Sequence, residues 1–212
     1  ALVVTAPSVL PRLRSVVAKI EAGGTNSPRD RSRTAVFADD TIDAVLGDGL
    51  AAGALHEIAP AAPLHLGAAA GFVLALAARI GTSRRVFWIR SDYADGEAGN
   101  LYGHGLTSFG LPLDGVLMLR VAKACDALAA MEEALKCRAL ACVIAELPGD
   151  GPAADLTATR RLSLAARQGG GFGFLLRHRS SALTSAAQTR WEVAGAPSQP
   201  DRFGGLGRAA FL

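Results

Sequence analysis

The sequence predicts an α/β domain built on a mostly parallel sheet with helices on both faces. Half of the 212 residues are hydrophobic and 19% are charged, enough to bury a sizeable core in one large domain. Short β-branched or apolar runs alternate along the chain with helical segments of about 10–15 residues. Strands joined through helices run parallel, because parallel neighbours need crossover connections, and such a sheet is covered on both faces.

Leu10, Leu13, Val16, Val17 and Ile20 recur at helical spacing while Arg12, Arg14, Lys19 and Glu21 take the other face, so residues 10–22 read as an amphipathic helix ended by Gly23 and Gly24. Thr25 to Arg33 mixes Ser, Asn, Pro and charge and reads as a linker. The chain thus divides into a helix and linker, 1–33, and a core domain, 34–212. The core is expected to open with a strand at 54–59 and a helix at 66–79. Further strands are expected at 85–90, 116–121, 142–147, 172–177 and 191–194, with a last one near 208–212. Helices are expected over 126–137, where Leu128, Met131 and Leu135 share a face, and over 155–168, capped by Asp155 and stopped by Gly169.

The longest apolar run, Leu64 to Ile80, carries His65 and Arg79 and falls short of the roughly 20 residues of a spanning helix, so it reads as a core helix and no membrane partner is expected. Cys125, Cys137 and Cys142 are odd in number and lack Cys-x-x-Cys spacing, which predicts buried thiols in a reducing compartment and no metal. No opening stretch has the layout of a signal peptide. A cytoplasmic location is the expectation. Charge is segregated: residues 1–33 hold six basic and two acidic groups, 34–152 eight and fourteen, and 153–212 eight and three. The net values are therefore +4, −6 and +5, which sum to the +3 of the chain. Basic ends suggest an anionic partner, nucleic acid or an acidic protein, with a solvated surface as the alternative.

In an open parallel sheet the first strand-to-helix turn is the usual phosphate cradle. Here it reads Pro60-Ala61-Ala62-Pro63-Leu64-His65-Leu66-Gly67. A working loop, Gly-x-x-x-x-Gly-Lys-Ser/Thr, supplies amides, a lysine and a magnesium-holding hydroxyl. The turn has neither lysine nor hydroxyl, and Pro60 and Pro63 remove two amide donors. No nucleotide or other cofactor, and no catalysis, is expected of it.

The residues around this turn resemble a known family. Asp39-Asp40-Thr41-Ile42-Asp43-Ala44-Val45-Leu46 and the following Gly47-Asp48-Gly49-Leu50-Ala51-Ala52-Gly53 are similar to the approach to the first strand of the RecA core. Within that superfamily, Ala52 to Ile58, Met131 to Cys137, Thr159 to Ala166, and Thr189-Arg190-Trp191 with Ala196-Pro197-Ser198 resemble the ImuA family, from about residue 37 onward. The family pattern continues past the position of Leu212 into a basic, glycine-containing tail. The resemblance implies a RecA-like fold and an SOS-induced, non-catalytic accessory role in error-prone translesion synthesis. The implied partners are the polymerase-like ImuB and a C-family polymerase, with RecA, DNA and a second copy of the chain as further candidates.

Glu146 closes the run Cys142 to Ala145, where RecA-like enzymes place a carboxylate that orders magnesium or water. It reads as vestigial, or as a strand-end carboxylate bonding a neighbour. His56, His65, His104 and His178 show no metal-ligand spacing. Arg160, Arg161, Arg167, Arg177, Arg179 and Arg190, with Trp191, are the candidate contacts to a partner or DNA; Arg160 or Arg161 is alternatively structural, pairing with an acid such as Glu146. Exchanging Arg177 and Arg179 for Glu is expected to weaken such contacts without unfolding the domain. The apolar face of helix 10–22 is expected to dock on another copy or on RecA. Two other readings stand beside the accessory role: a RecA-type ATPase with an atypical nucleotide site served by Glu146, and a SulA-like inhibitor of the division protein FtsZ.

Overall fold

The structure, a computed structural model, describes residues 2–5, 34–37, 39–47, 49–80, 85–92, 96, 98–148 and 154–197, the first four by backbone alone. The expected helix 10–22 with Leu10, Leu13, Val16, Val17 and Ile20, the linker, and the strand near 208–212 lie outside the described residues.

The strands are β1 (Leu2–Thr5), β2 (Thr34–Ala35), β3 (Leu50–Ala51), β4 (Ala54–Pro60), β5 (Arg85–Ser91), β6 (Val116–Val121), β7 (Leu140–Leu147), β8 (Phe172–Arg177) and β9 (Thr189–Val193). The α-helices are α1 (Asp40–Leu46), α2 (Leu66–Ile80), α3 (Gly103–Ser108), α4 (Ala124–Leu135) and α5 (Leu156–Gly169). Seven strands form one sheet in the order β1-β6-β5-β7-β8-β4-β9, and every pair in it is parallel. β2 and β3 form a separate antiparallel pair.

From β4 the chain crosses to β5 and β6 on one side, then reverses through β7 and β8 to end at β9, on the far side of β4. Right-handed crossovers send the two directions of travel over opposite faces. The core divides accordingly. On one face Val73, Leu76 and Ala77 of α2 pack with Ile58, Trp88, Ile144 and Leu176. On the other, Met131 and Leu135 of α4 and Leu162 and Ala166 of α5 pack with Leu55, Ile89, Val143 and Leu175. Successive strand residues serve opposite faces, so β4, β7 and β8 are buried along their whole length and read as nearly continuous apolar runs. Residues 63–80 are apolar and long enough to cross a membrane by composition, but the α2 face is used against the sheet.

Several details depart from the sequence reading. β1 was not anticipated: four residues with no alternating partner signal join the sheet edge in register with Leu117 to Arg120 of β6. α1 was not anticipated either: Asp39 caps it by accepting from the amides of Thr41 and Ile42, and Gly47 at φ 67° ends it. α5 runs through Gly169 and is stopped by Gly170 at φ 75°. Gly169 serves packing instead, since a Cβ there would lie 1.9 Å from the Leu135 carbonyl oxygen at the end of α4. Cys137 and Cys142 are buried as expected, whereas Cys125 is exposed at the start of α4. Burial pushes the Cys142 thiol pKa up, because the thiolate would be desolvated.

Candidate functional site

The carboxyl edge of the sheet brings together the first turn, Glu146 and the ends of β5, β7 and β8. The turn between β4 and α2 has few donors to offer. Pro60 and Pro63 have no N–H, the Ala61 amide donates to the Val193 carbonyl at 2.9 Å, and the His65 amide donates to Ala62 at 2.8 Å. The Leu66 amide bonds the Pro63 carbonyl within the short 3-10 turn Pro63–His65. His65 is occupied too, its Nδ1 accepting from the Gly195 amide at 3.2 Å. Gly67 sits in open surroundings and Leu64 is 81% exposed, so the turn presents an apolar tip where a phosphate cradle would present amides.

Glu146, near the end of β7, is 3% exposed and its carboxylate is enclosed by donors. Trp88 Nε1 donates to Oε1 at 2.6 Å, Arg90 Nε donates to the same oxygen at 3.0 Å, and Arg90 Nη2 donates to Oε2 at 3.3 Å. His178 Nε2 lies 3.3 Å from Oε2. These contacts take up the roughly four acceptor positions of a carboxylate. A guanidinium thus stands against this oxygen pair where a metal-side carboxylate would need it open. Alternation places Trp88, Arg90 and Glu146 on the α2 face, with Arg90 1% and Trp88 0% exposed.

A second buried ion pair lies on the opposite face. Arg177 Nε donates to Glu57 Oε1 at 2.5 Å and Arg177 Nη2 to the Ala154 carbonyl at 2.9 Å, while Arg190 Nη2 reaches Glu57 Oε1 at 3.5 Å and also bonds the Ser181 carbonyl. Arg177 is 1% exposed. It is therefore corrected from a candidate surface contact to a core ion pair, and its exchange for Glu would set two carboxylates together in the interior. Trp191 is half-buried: its ring stacks with Phe37 at 5.2 Å and meets Phe72 in a tilted contact at 5.4 Å, and its Nε1 donates to Thr189 Oγ1 at 2.7 Å.

That hydroxyl continues a relay, its proton directed to His56 Nδ1 at 2.9 Å, while His56 Nε2–H donates to the Ala51 carbonyl at 3.0 Å. The relay needs neutral His56 protonated on Nε2. Burial agrees, lowering the His56 pKa from 6.5 to about 4 against the smaller opposing effect of the Ala51 carbonyl.

The remaining arginines do not form one patch. Arg160, Arg161, Arg167, Arg179 and Arg190 are exposed. Arg161 pairs with Glu132 of α4 at 2.6 Å and not with Glu146. Arg190 is tied to Glu57 and Ser181 on β9, leaving Arg160 and Arg167 on the outer side of α5. His104 is exposed in α3, where its carbonyl accepts from the Thr107 and Ser108 hydroxyls. Among the described residues no group of His, Cys, Asp or Glu is arranged to hold a metal. Sequence reasoning missed Glu57, Trp88, Arg90 and His178. The available signal was polar residues inside strands expected to be buried on both faces, since such groups must find partners.

Strand order, crossover faces and the donor-poor turn together define a RecA-like α/β domain with a degenerate phosphate-binding loop. Protein ImuA of Caulobacter vibrioides, from strain NA1000 / CB15N and from strain ATCC 19089 / CIP 103742 / CB 15, is 33% identical over 180 residues, covering 77% of this chain and 69% of the relative. The chain belongs to the ImuA family. No protein-family profile matches it. Among solved structures, that of SulA from Pseudomonas aeruginosa is similar with a TM-score of 0.46 and 21% identity, covering 58% of this chain and 96% of SulA.

Proposed function

We propose that this chain is a non-catalytic, cytoplasmic accessory protein of the SOS response that supports error-prone translesion DNA synthesis by binding protein partners. Membership of the ImuA family supports the setting in mutagenesis and DNA damage. By the family resemblance, the partners are the polymerase-like ImuB and a C-family polymerase, with RecA a further candidate.

The observation that carries the non-catalytic reading is the state of Glu146. Nucleotide hydrolysis in a RecA-like domain needs a carboxylate able to order magnesium or water beside a cradled phosphate. Here the carboxylate is occupied by Arg90, Trp88 and His178, and in the adjoining turn two prolines lack an amide N–H while the amides of Ala61, His65 and Leu66 are engaged. Releasing Glu146 to a metal would strand the buried Arg90 charge, a cost of several kcal/mol, on the order of 3–5. The turn has no lysine to compensate. Titration calorimetry of the protein with ATP and magnesium is expected to show no saturable heat. Saturable binding that disappears in Glu146→Gln would reject the non-catalytic reading in favour of an ATPase.

A further inference from the structure

The polar side of α5 carries a residue that neither the core nor the ion pairs explain. Thr159, Leu162, Ala165, Ala166 and Gly169 face inward, so at about 100° per residue the centre of the solvent-facing arc falls at Leu164. Leu164 is 64% exposed. Arg160 and Arg161 lie one turn before it and Arg167 one turn after. Arg161 is held by Glu132, while Arg160 and Arg167 have no ion pair among the described residues. The carboxyl-terminal block that supplies these arginines is net +5.

We infer that this face of α5 is a docking surface for a protein that sets carboxylates around an apolar socket, with Leu164 as the anchor. The inference rests on the proposed reading that the chain acts by binding a partner. The chemistry separates a protein from nucleic acid. Arginines alone suit phosphates and carboxylates equally, but a leucine at their centre gains nothing from a hydrated phosphate backbone. Protein interfaces, in contrast, place an apolar anchor in a desolvated pocket and ring it with charged groups whose partners set register and encounter rate.

Leu164→Lys tests this directly, because lysine keeps helix propensity and adds positive charge while removing the anchor. The residue is exposed, so an unchanged melting temperature is the control for folding. The full chain is titrated with its polymerase-like partner, and separately with a duplex oligonucleotide. Leu164→Lys and the double variant Arg160→Glu/Arg167→Glu should each weaken partner binding by at least about tenfold, with Leu164→Lys leaving duplex binding equal or stronger. Unchanged partner affinity in both variants overturns the docking surface while leaving the accessory role standing. Partner affinity unchanged by Leu164→Lys, with duplex binding lost in the arginine variant, assigns the face to nucleic acid instead. If the unaltered chain binds no such partner, the accessory reading itself falls, and this inference with it.

Discussion

Arg90 and Arg177 are buried guanidiniums held by carboxylates, one on each face of the sheet. A buried pair adds little net stability when formed, because desolvation offsets attraction, but losing one member leaves an uncompensated charge. Arg90→Leu is therefore expected to destabilise the protein by about 3–5 kcal/mol in urea unfolding, and Arg90→Leu with Glu146→Leu to recover much of that loss. His56 gives a pH dependence of known sign. Its folded pKa, about 4, lies below the ordinary 6.5, so the unfolded chain binds the extra proton between those values. The contribution is complete above pH 6.5 and is lost as pH falls towards 4. Its full size is about 3 kcal/mol. Urea midpoints measured across that window should fall with acidity, and the fall should be shallower in His56→Gln. A similar slope in both proteins would show that carboxylates, not His56, set the acid response.

At the scale of elements, α4 and α5 approach closely at their carboxyl ends, where Gly169 passes the Leu135 carbonyl. A methyl group there meets backbone that cannot rotate away. Gly169→Ala is expected to cost about 1–3 kcal/mol by overpacking, despite the better helix propensity of alanine, with the loss read as a lower melting temperature. A neutral or stabilising result would mean that the two helices can separate without loss. Apart from α3, a six-residue helix with no capping side chain and one buried residue, the strands and helices from 54 to 177 were legible because each carries an uninterrupted apolar face, a capping acid or a terminal glycine. α1 was less so. Its seven residues bury no side chain fully, and its capping aspartate stands next to another acid, so neither an apolar face nor a distinct cap marks it. β1 was illegible for a different reason: an edge strand of four residues is specified by the neighbour it joins, β6, which lies over a hundred residues away in sequence.

For the whole molecule, the family and the missing phosphate cradle were readable before any coordinates, because both rest on residue identity at known places along the chain. The fate of the charged residues was not. Arg177 looked like a free strand-end arginine, and only the parallel register that brings β4 beside β8 shows Glu57 waiting for it. The strand order decides where the two tryptophans of the sequence fall. Trp88 is sealed inside a central strand against a carboxylate, whereas Trp191 is half-exposed on β9, the edge strand. Their surroundings differ enough that the intrinsic emission is expected to have two components, one from the centre of the sheet and a redder one from its margin. Emission spectra recorded during unfolding are therefore expected to separate fraying at the margin from melting at the centre, with no label attached.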